Sequence, residues 1–235
     1  MPAYPPLFAD RCEAGRRLGE ALRGLKLAAP IIYALPRGGV PVAVEIGKAL
    51  GAPVDVLLVR KIGAPGAPEL ALAAVVDGGE VVVNEDVRRL TGATTAFLDA
   101  ARLRELDEIE RRRSVYLNGQ VRLSAGGRTA IVVDDGLATG ATAKAALRAL
   151  RREGAAKVVL AVPVAPAQTL VEMRREADEV FCLEPSEDFI GVGGFYGDFH
   201  QLSDDETVRL LSEARTRSAE ADVVARSTVA IPPEG

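Results

Sequence analysis

From residue 131 to residue 142 the chain reads Ile-Val-Val-Asp-Asp-Gly-Leu-Ala-Thr-Gly-Ala-Thr. A short apolar run here delivers two adjacent carboxylates, Asp134 and Asp135, to the carboxyl end of a strand, the edge where open α/β sheets bind ligands. The loop that follows is made of Gly136, Leu137, Ala138, Thr139, Gly140, Ala141 and Thr142, and it opens a helical pattern. Backbone N–H groups, two threonine hydroxyls and the positive end of a helix together make a socket for a phosphate dianion. Carboxylates one step away accept hydrogen bonds from sugar hydroxyls. The combination asks for a phosphorylated sugar.

Other chemistries fit less well. A nucleotide-hydrolysing P-loop needs Gly-Lys-Ser/Thr, whereas Gly140 is followed by Ala141 and Lys144 lies out of place. Gly191-Val192-Gly193-Gly194 resembles a dinucleotide loop only superficially, because it does not join a first strand to its helix. The bland alternative is an ordinary capped helix after a strand, which leaves the acid pair and both threonines without a reason.

Such a site needs parallel strands and crossover helices to hold it. Ile31 to Leu35, a helical pattern over Val40 to Leu50, and Pro53 to Val59 make one strand-helix-strand unit. The pattern resumes with a strand at Thr129 to Val133, a helix at Thr142 to Glu153, a strand at Lys157 to Val164, a helix at Pro166 to Ala177 and a strand at Glu179 to Leu183. The fold class expected is therefore α/β, an open and mainly parallel twisted sheet flanked by helices. Between the two halves, the Gly/Pro-rich stretch Lys61 to Pro68 reads as an exposed loop. Asp77-Gly78-Gly79 reads as the turn of a hairpin, and Thr94 to Tyr116 as a long polar helix with Leu98, Leu103, Leu106 and Ile109 facing inward. Ser203 to Glu206 carries a capping arrangement for a last helix, and the pattern loses its helical period after Ala219.

The chain has 235 residues, 48% of them hydrophobic and 26% charged, with a net charge of −4. That length suits a single domain (1–219) with a core at about 31–183, an insertion at about 61–116, a hood at about 184–201 joined by the N-terminal helix, and a tail at 220–235. The acidic balance disfavours nucleic acid as a partner. No apolar stretch approaches the roughly 18 residues of a membrane helix, and no secretory pattern opens the chain. Cys12 and Cys182 lack metal-like spacing and read as reduced thiols of a cytoplasmic protein.

The stretch 131–142 resembles the phosphoribosyl pyrophosphate (PRPP) signature of the type I phosphoribosyltransferases: a hydrophobic strand, two acids, three variable residues, then Thr-Gly-x-Thr. The resemblance implies that Asp134 and Asp135 hold the ribose hydroxyls of PRPP and that Gly136 to Thr142 hold its 5′-phosphate. Leu35-Pro36-Arg37-Gly38-Gly39-Val40-Pro41 lies where that family places its pyrophosphate loop, and is similar to a loop found in a group of uncharacterised bacterial phosphoribosyltransferase-like proteins. Arg37, Gly38 and Gly39 would then hold pyrophosphate. Family members often carry an unusual cis peptide there, expected here around Arg37-Gly38.

Arg60-Lys61 is similar to the Arg-Lys pair of adenine phosphoribosyltransferases, which makes Lys61, with Arg37, the candidate catalytic cation. A loop at Ile62 to Leu70 would close over the substrate. Asp188 to Phe199 resembles the hood of hypoxanthine-type enzymes, with Phe189 and Asp198 as base-binding candidates; a packed aromatic cluster is the alternative reading of the same residues. His200 is assigned no role. The implied activity is transfer of a phosphoribosyl group from PRPP to a nucleobase or another small nitrogenous acceptor with release of pyrophosphate. Mg²⁺ would be carried near Asp134 and Asp135 without a dedicated set of protein ligands. Hypoxanthine-type enzymes have an aspartate where this chain has Ala138, an alanine that adenine- and orotate-type enzymes share, so a proton acceptor must come from elsewhere, with Glu69 or Asp198 as candidates. A non-catalytic PRPP or nucleotide sensor on the same fold is the second reading. Family members are often homodimers, which the periodicity does not decide.

Overall fold

A computed structural model describes the backbone of residues 6–229 and the side chains of 6–218. The apolar runs form a five-stranded parallel sheet from β1 (Ile31–Ala34), β2 (Val54–Val56), β6 (Thr129–Val133), β7 (Lys157–Pro166) and β8 (Glu179–Ser186), in the order β2-β1-β6-β7-β8. Helices α2 (Gly39–Leu50), α5 (Ala141–Arg152) and α6 (Ala167–Met173) make the crossovers. The chain winds outward one way from β1 and the other way from β6, so the topological switch point falls between these two strands. All residues of β1 and β6 are buried, as expected of strands covered on both faces.

Register sets the position of the site. Ile31 pairs with Ala130 and Ala34 with Val133, so the two strands end level with each other. The Leu35 N–H then donates to the Val133 carbonyl at 2.8 Å, which extends the ladder one residue into the loops. Gly39, the first residue of α2, lies so close to β6 that a Cβ there would sit 2.5 Å from the Val133 oxygen and 3.0 Å from the Asp134 Cα.

The middle of the chain departs from the expected pattern. The second strand stops at Val56 and the stretch expected to be an exposed loop is a hairpin, β3 (Val59–Ala64) and β4 (Ala67–Val76), continued by β5 (Val81–Val83) into a separate antiparallel sheet. Ile62 and Ala64 alternate into the core, and the hairpin turns at Pro65-Gly66. The hairpin expected around Asp77 to Gly79 is present between β4 and β5. Glu85–Thr91 forms an unanticipated short helix, α3, capped by Asn84. The long helix α4 (Thr95–Leu117) buries Leu98, Ala101 and Ile109, but Leu103 is 61% exposed. Five residues beyond Leu98 is roughly 140° around a helix, which turns Leu103 away from the buried stripe.

At the ends of the chain, α1 (Arg11–Leu22) is capped by Asp10, whose Oδ1 accepts from the Glu13 N–H at 2.7 Å. Helix α7 (Asp204–Val229) begins with the expected capping box: the Ser203 hydroxyl accepts from the Glu206 N–H at 3.2 Å while Glu206 accepts from the Ser203 N–H at 2.8 Å. Its backbone stays helical beyond Ala219, where the sequence pattern suggests an extended tail; residues 230–235 of that tail lie outside the described residues. Among the described residues no helix is long and apolar enough to cross a membrane. Because a methyl group at position 39 would press on backbone atoms that cannot yield, Gly39→Ala is expected to destabilise the fold by about 1–3 kcal/mol, measured by urea denaturation.

Candidate functional site

Asp134 and Asp135 follow β6 directly, and the loop after them is fastened from behind. The Leu137 N–H donates to the Val164 carbonyl at 2.9 Å, and the Thr169 hydroxyl donates to the Ala138 carbonyl at 2.8 Å. Gly140 takes φ 71°, a left-handed turn favoured by glycine, and opens α5 without any side-chain cap. Thr139 is exposed and Thr142 half-buried, and among the described residues neither hydroxyl has a protein hydrogen-bond partner. An uncapped helix start with free hydroxyls beside it can receive an anion.

The glycines of the upstream loop press on the acid pair. A Cβ on Gly38 would meet the Asp135 carboxylate, so a larger residue there would have to push that carboxylate aside. The cis peptide lies between Pro36 and Arg37, one bond earlier than the position expected. Arg37 sends its guanidinium toward the start of α7, with Nη1 3.7 Å from Asp204 Oδ1. The same Asp204 oxygen accepts from the Tyr116 hydroxyl at 2.6 Å, and that phenol is pushed up to about 12, mainly by burial and then by Asp204. Lys61 lies within β3 rather than at the end of a parallel strand. It borders a cavity of about 630 Å³ shared with Glu69, Thr139, Ala141 and Lys144, so the loop after the acid pair and the β3–β4 hairpin face one space.

The hood is an aromatic cluster. Phe189 stacks on Phe195 with ring centres 5.8 Å apart, and Tyr196 packs between Phe8 at 5.4 Å and Phe199 at 5.1 Å. The Tyr196 hydroxyl donates to the Asp135 carbonyl at 2.6 Å, which ties the cluster to the acid pair. Asp198 is turned elsewhere: its Oδ1 accepts from the His200 N–H at 3.0 Å and faces His200 Nδ1 at 3.1 Å. Both residues border a separate cavity of about 190 Å³.

Arg11 has no counterpart in the sequence reading. Its Nε donates to Asp135 Oδ2 at 2.8 Å, from a helix 124 residues away in the chain. No spacing rule links the two, and the only local signal is an arginine in the first turn of a helix, where a cation is disfavoured.

Burial raises the carboxyl of Asp134 well above the ordinary carboxylate range, and the neighbouring Asp135 adds to the effect; the Asp135 N–H, Lys61 and Arg11 oppose it. Asp135 is raised as well, chiefly by burial and against the pull of Arg11. A carboxyl raised in the folded state binds more protons there than in the unfolded chain, so its contribution to stability declines as pH rises from about 3.9 through the raised value. Asp134→Asn is therefore expected to melt about 2–4 °C above the unaltered protein at neutral pH, with the difference vanishing near pH 4, measured by calorimetry across that range. An unchanged melting temperature at every pH would contradict the assignment of a penalised charge.

Comparison with known proteins adds a family to this geometry. The family model described as "Phosphoribosyl transferase domain" matches residues 66–200. A Mycobacterium tuberculosis protein, strain H37Rv, whose curated name places it provisionally among phosphoribosyl transferases, is 47% identical over 218 residues, 93% of this chain and 49% of its own length. A protein of Mycobacterium tuberculosis strain CDC 1551 with the same kind of name matches equally well, so the chain spans about half the length of these curated relatives. The crystal structure of TT1426 from Thermus thermophilus superposes with a TM-score of 0.79 at 42% identity, covering 88% of this chain and 98% of that one. With the model matching more than half of its residues, over the acid pair, the loop that follows it and the hood, the chain belongs to the phosphoribosyl transferase domain family.

Proposed function

We propose that the chain transfers the phosphoribosyl group of PRPP to a nucleobase or another small nitrogen nucleophile, releasing pyrophosphate. The observation that carries this reading is the juxtaposition at the β1/β6 switch point: a carboxylate pair, an uncapped helix start beside it and a glycine turn pressed against the second acid. Each part matches one part of PRPP. The loop from Gly136 to Thr142 takes the 5′-phosphate, the acids take the ribose hydroxyls, and Gly38 and Gly39 bring backbone close enough for pyrophosphate. Arg37 and Lys61 are the cations for the leaving group. Use of Arg37 in this role requires its guanidinium to leave Asp204 for the ligand.

The reaction has an oxocarbenium-like transition state, so the chain acts by holding the sugar still and by matching the charge that the departing pyrophosphate gains. Asp134 and Asp135 present hard oxygen donors that suit Mg²⁺ carried in with PRPP. That ion would neutralise pyrophosphate charge. Among the described residues no group of three or more His, Cys, Asp or Glu side chains is arranged to cage a metal. Glu69, on the rim of the large cavity with Lys61 and Thr139, is better placed for proton transfer than Asp198, which is engaged by His200. A cytoplasmic setting accompanies this reading, because a highly phosphorylated substrate does not cross membranes unaided.

The test is incubation with PRPP, Mg²⁺ and a panel of nucleobases and small amines, following pyrophosphate release. Release with one acceptor supports a transferase. PRPP binding with no release from any acceptor would replace this reading by that of a sensor. Thr139→Ala is expected to weaken PRPP binding by about 1–2 kcal/mol in titration calorimetry, as one phosphate hydrogen bond is lost. Unchanged affinity would remove Thr139 from the phosphate socket.

A further inference from the structure

Arg11 is a charged residue only 8% exposed, placed in the first turn of α1. Both circumstances disfavour a guanidinium: the positive end of a helix repels it, and burial strips its water. Three contacts compensate. Nε donates to Asp135 Oδ2 at 2.8 Å, Nη1 donates to the His200 carbonyl at 3.0 Å, and the guanidinium carbon stands 3.9 Å from the centre of the Phe199 ring. Fastening the N-terminal segment to the hood does not call for this arginine. The Phe8 N–H already donates to the Phe195 carbonyl, the Gly197 N–H to the Phe8 carbonyl and the Asp198 N–H to the Ala9 carbonyl, at 2.8–3.0 Å. Among the described residues Arg11 is, by contrast, the one cation in ion-pair contact with Asp135.

We propose that Arg11 is a positioning residue of the sugar site, fixing the Asp135 carboxylate against the Gly38 turn. This rests on the phosphoribosyltransferase reading given above. The carboxylate lies between the guanidinium on one side and the Gly38 backbone on the other, and so has one orientation to offer a ribose hydroxyl. The charged and titratable groups around it are Arg11 from α1, Asp134 at the end of β6, Tyr196 from the hood and, acting on Asp134, Lys61 from β3. Asp198 faces Arg11 from the hood. Without the guanidinium, the Asp135 carboxylate loses the donor that fixes it on one side and is free to turn away from the Gly38 backbone.

Two readouts on the full chain test this: binding of PRPP with Mg²⁺ by titration calorimetry, and thermal melting without ligand, each in the unaltered protein, Arg11→Met and Arg11→Lys. Arg11→Met is expected to weaken PRPP binding about tenfold and to lower the melting temperature. Arg11→Lys recovers only part of the affinity, because it returns the charge without the planar fork. Arg11→Gln, which keeps a donor without the charge, gives the same comparison should Arg11→Met fail to fold. PRPP affinity unchanged in the neutral variants would overturn the proposal, as would an Arg11→Lys variant that binds no better than Arg11→Met. Failure of the unaltered protein to bind PRPP, with Arg11→Met still melting lower, would overturn the sugar-site reading and leave the ion pair standing.

Discussion

The parallel pairing of β1 with β6 is the constraint on which the rest of this molecule depends. Because Ala34 and Val133 are level, and the Leu35 N–H reaches the Val133 carbonyl, two loops far apart in sequence leave the sheet side by side. A slip of one residue would reverse the facing of every side chain on one strand and separate the loops by a strand rise of about 3.3 Å. Such a slip would move Gly38 away from the Asp135 carboxylate and Gly39 away from the Val133 oxygen. The buried faces of both strands, covered by helices on either side, are what hold that register.

Charge is used locally in this chain. A net charge of −4 gives little reason to look for a highly phosphorylated ligand. In the proposed reading phosphate is held instead by backbone N–H groups and hydroxyls at one helix start, which no count of lysine and arginine registers. Several cations near the site are already engaged by the protein itself: Lys144 and Arg148 pair with Glu176, Arg60 with Glu105, and Arg11 with Asp135. The mixed-charge run of α4 behaves in the same way, with Glu108 shared between Arg111 and Arg112 on the solvent side.

What can be read in the sequence is contiguous. Strand β6 falls on the expected residues, and the acid pair, the loop and the helix after it follow one another within twelve positions, so one window contains both chemistry and context. The inserted sheet is hidden because glycine and proline outweigh the alternation of Ile62 and Ala64, a period-2 signal only a few residues long. Leu103 is misplaced by its hydrophobicity, since its angle around α4 carries it to the charged face. Arg11 and the Tyr196 hydroxyl escape sequence reading for a different reason: their partner is Asp135, 124 and 61 residues away, and no local pattern records a contact made by folding. The hood is legible as aromatic; that Phe189 stacks on Phe195 and Asp198 turns to His200 depends on how the segment packs.

The bridge between Phe8 and Tyr196 also has a bearing on how the molecule is made. It joins segments far apart in the sequence, and with the Arg11 bond to the His200 carbonyl it closes a loop spanning 189 residues. Contacts of such separation form late, after the local strand-helix units have already reduced the cost of closing the loop. During synthesis the sheet can assemble through β7 while the hood is still inside the ribosome. The acid pair thus acquires its full surroundings only when almost the whole domain has emerged, and a nascent chain holds a core before it holds a site.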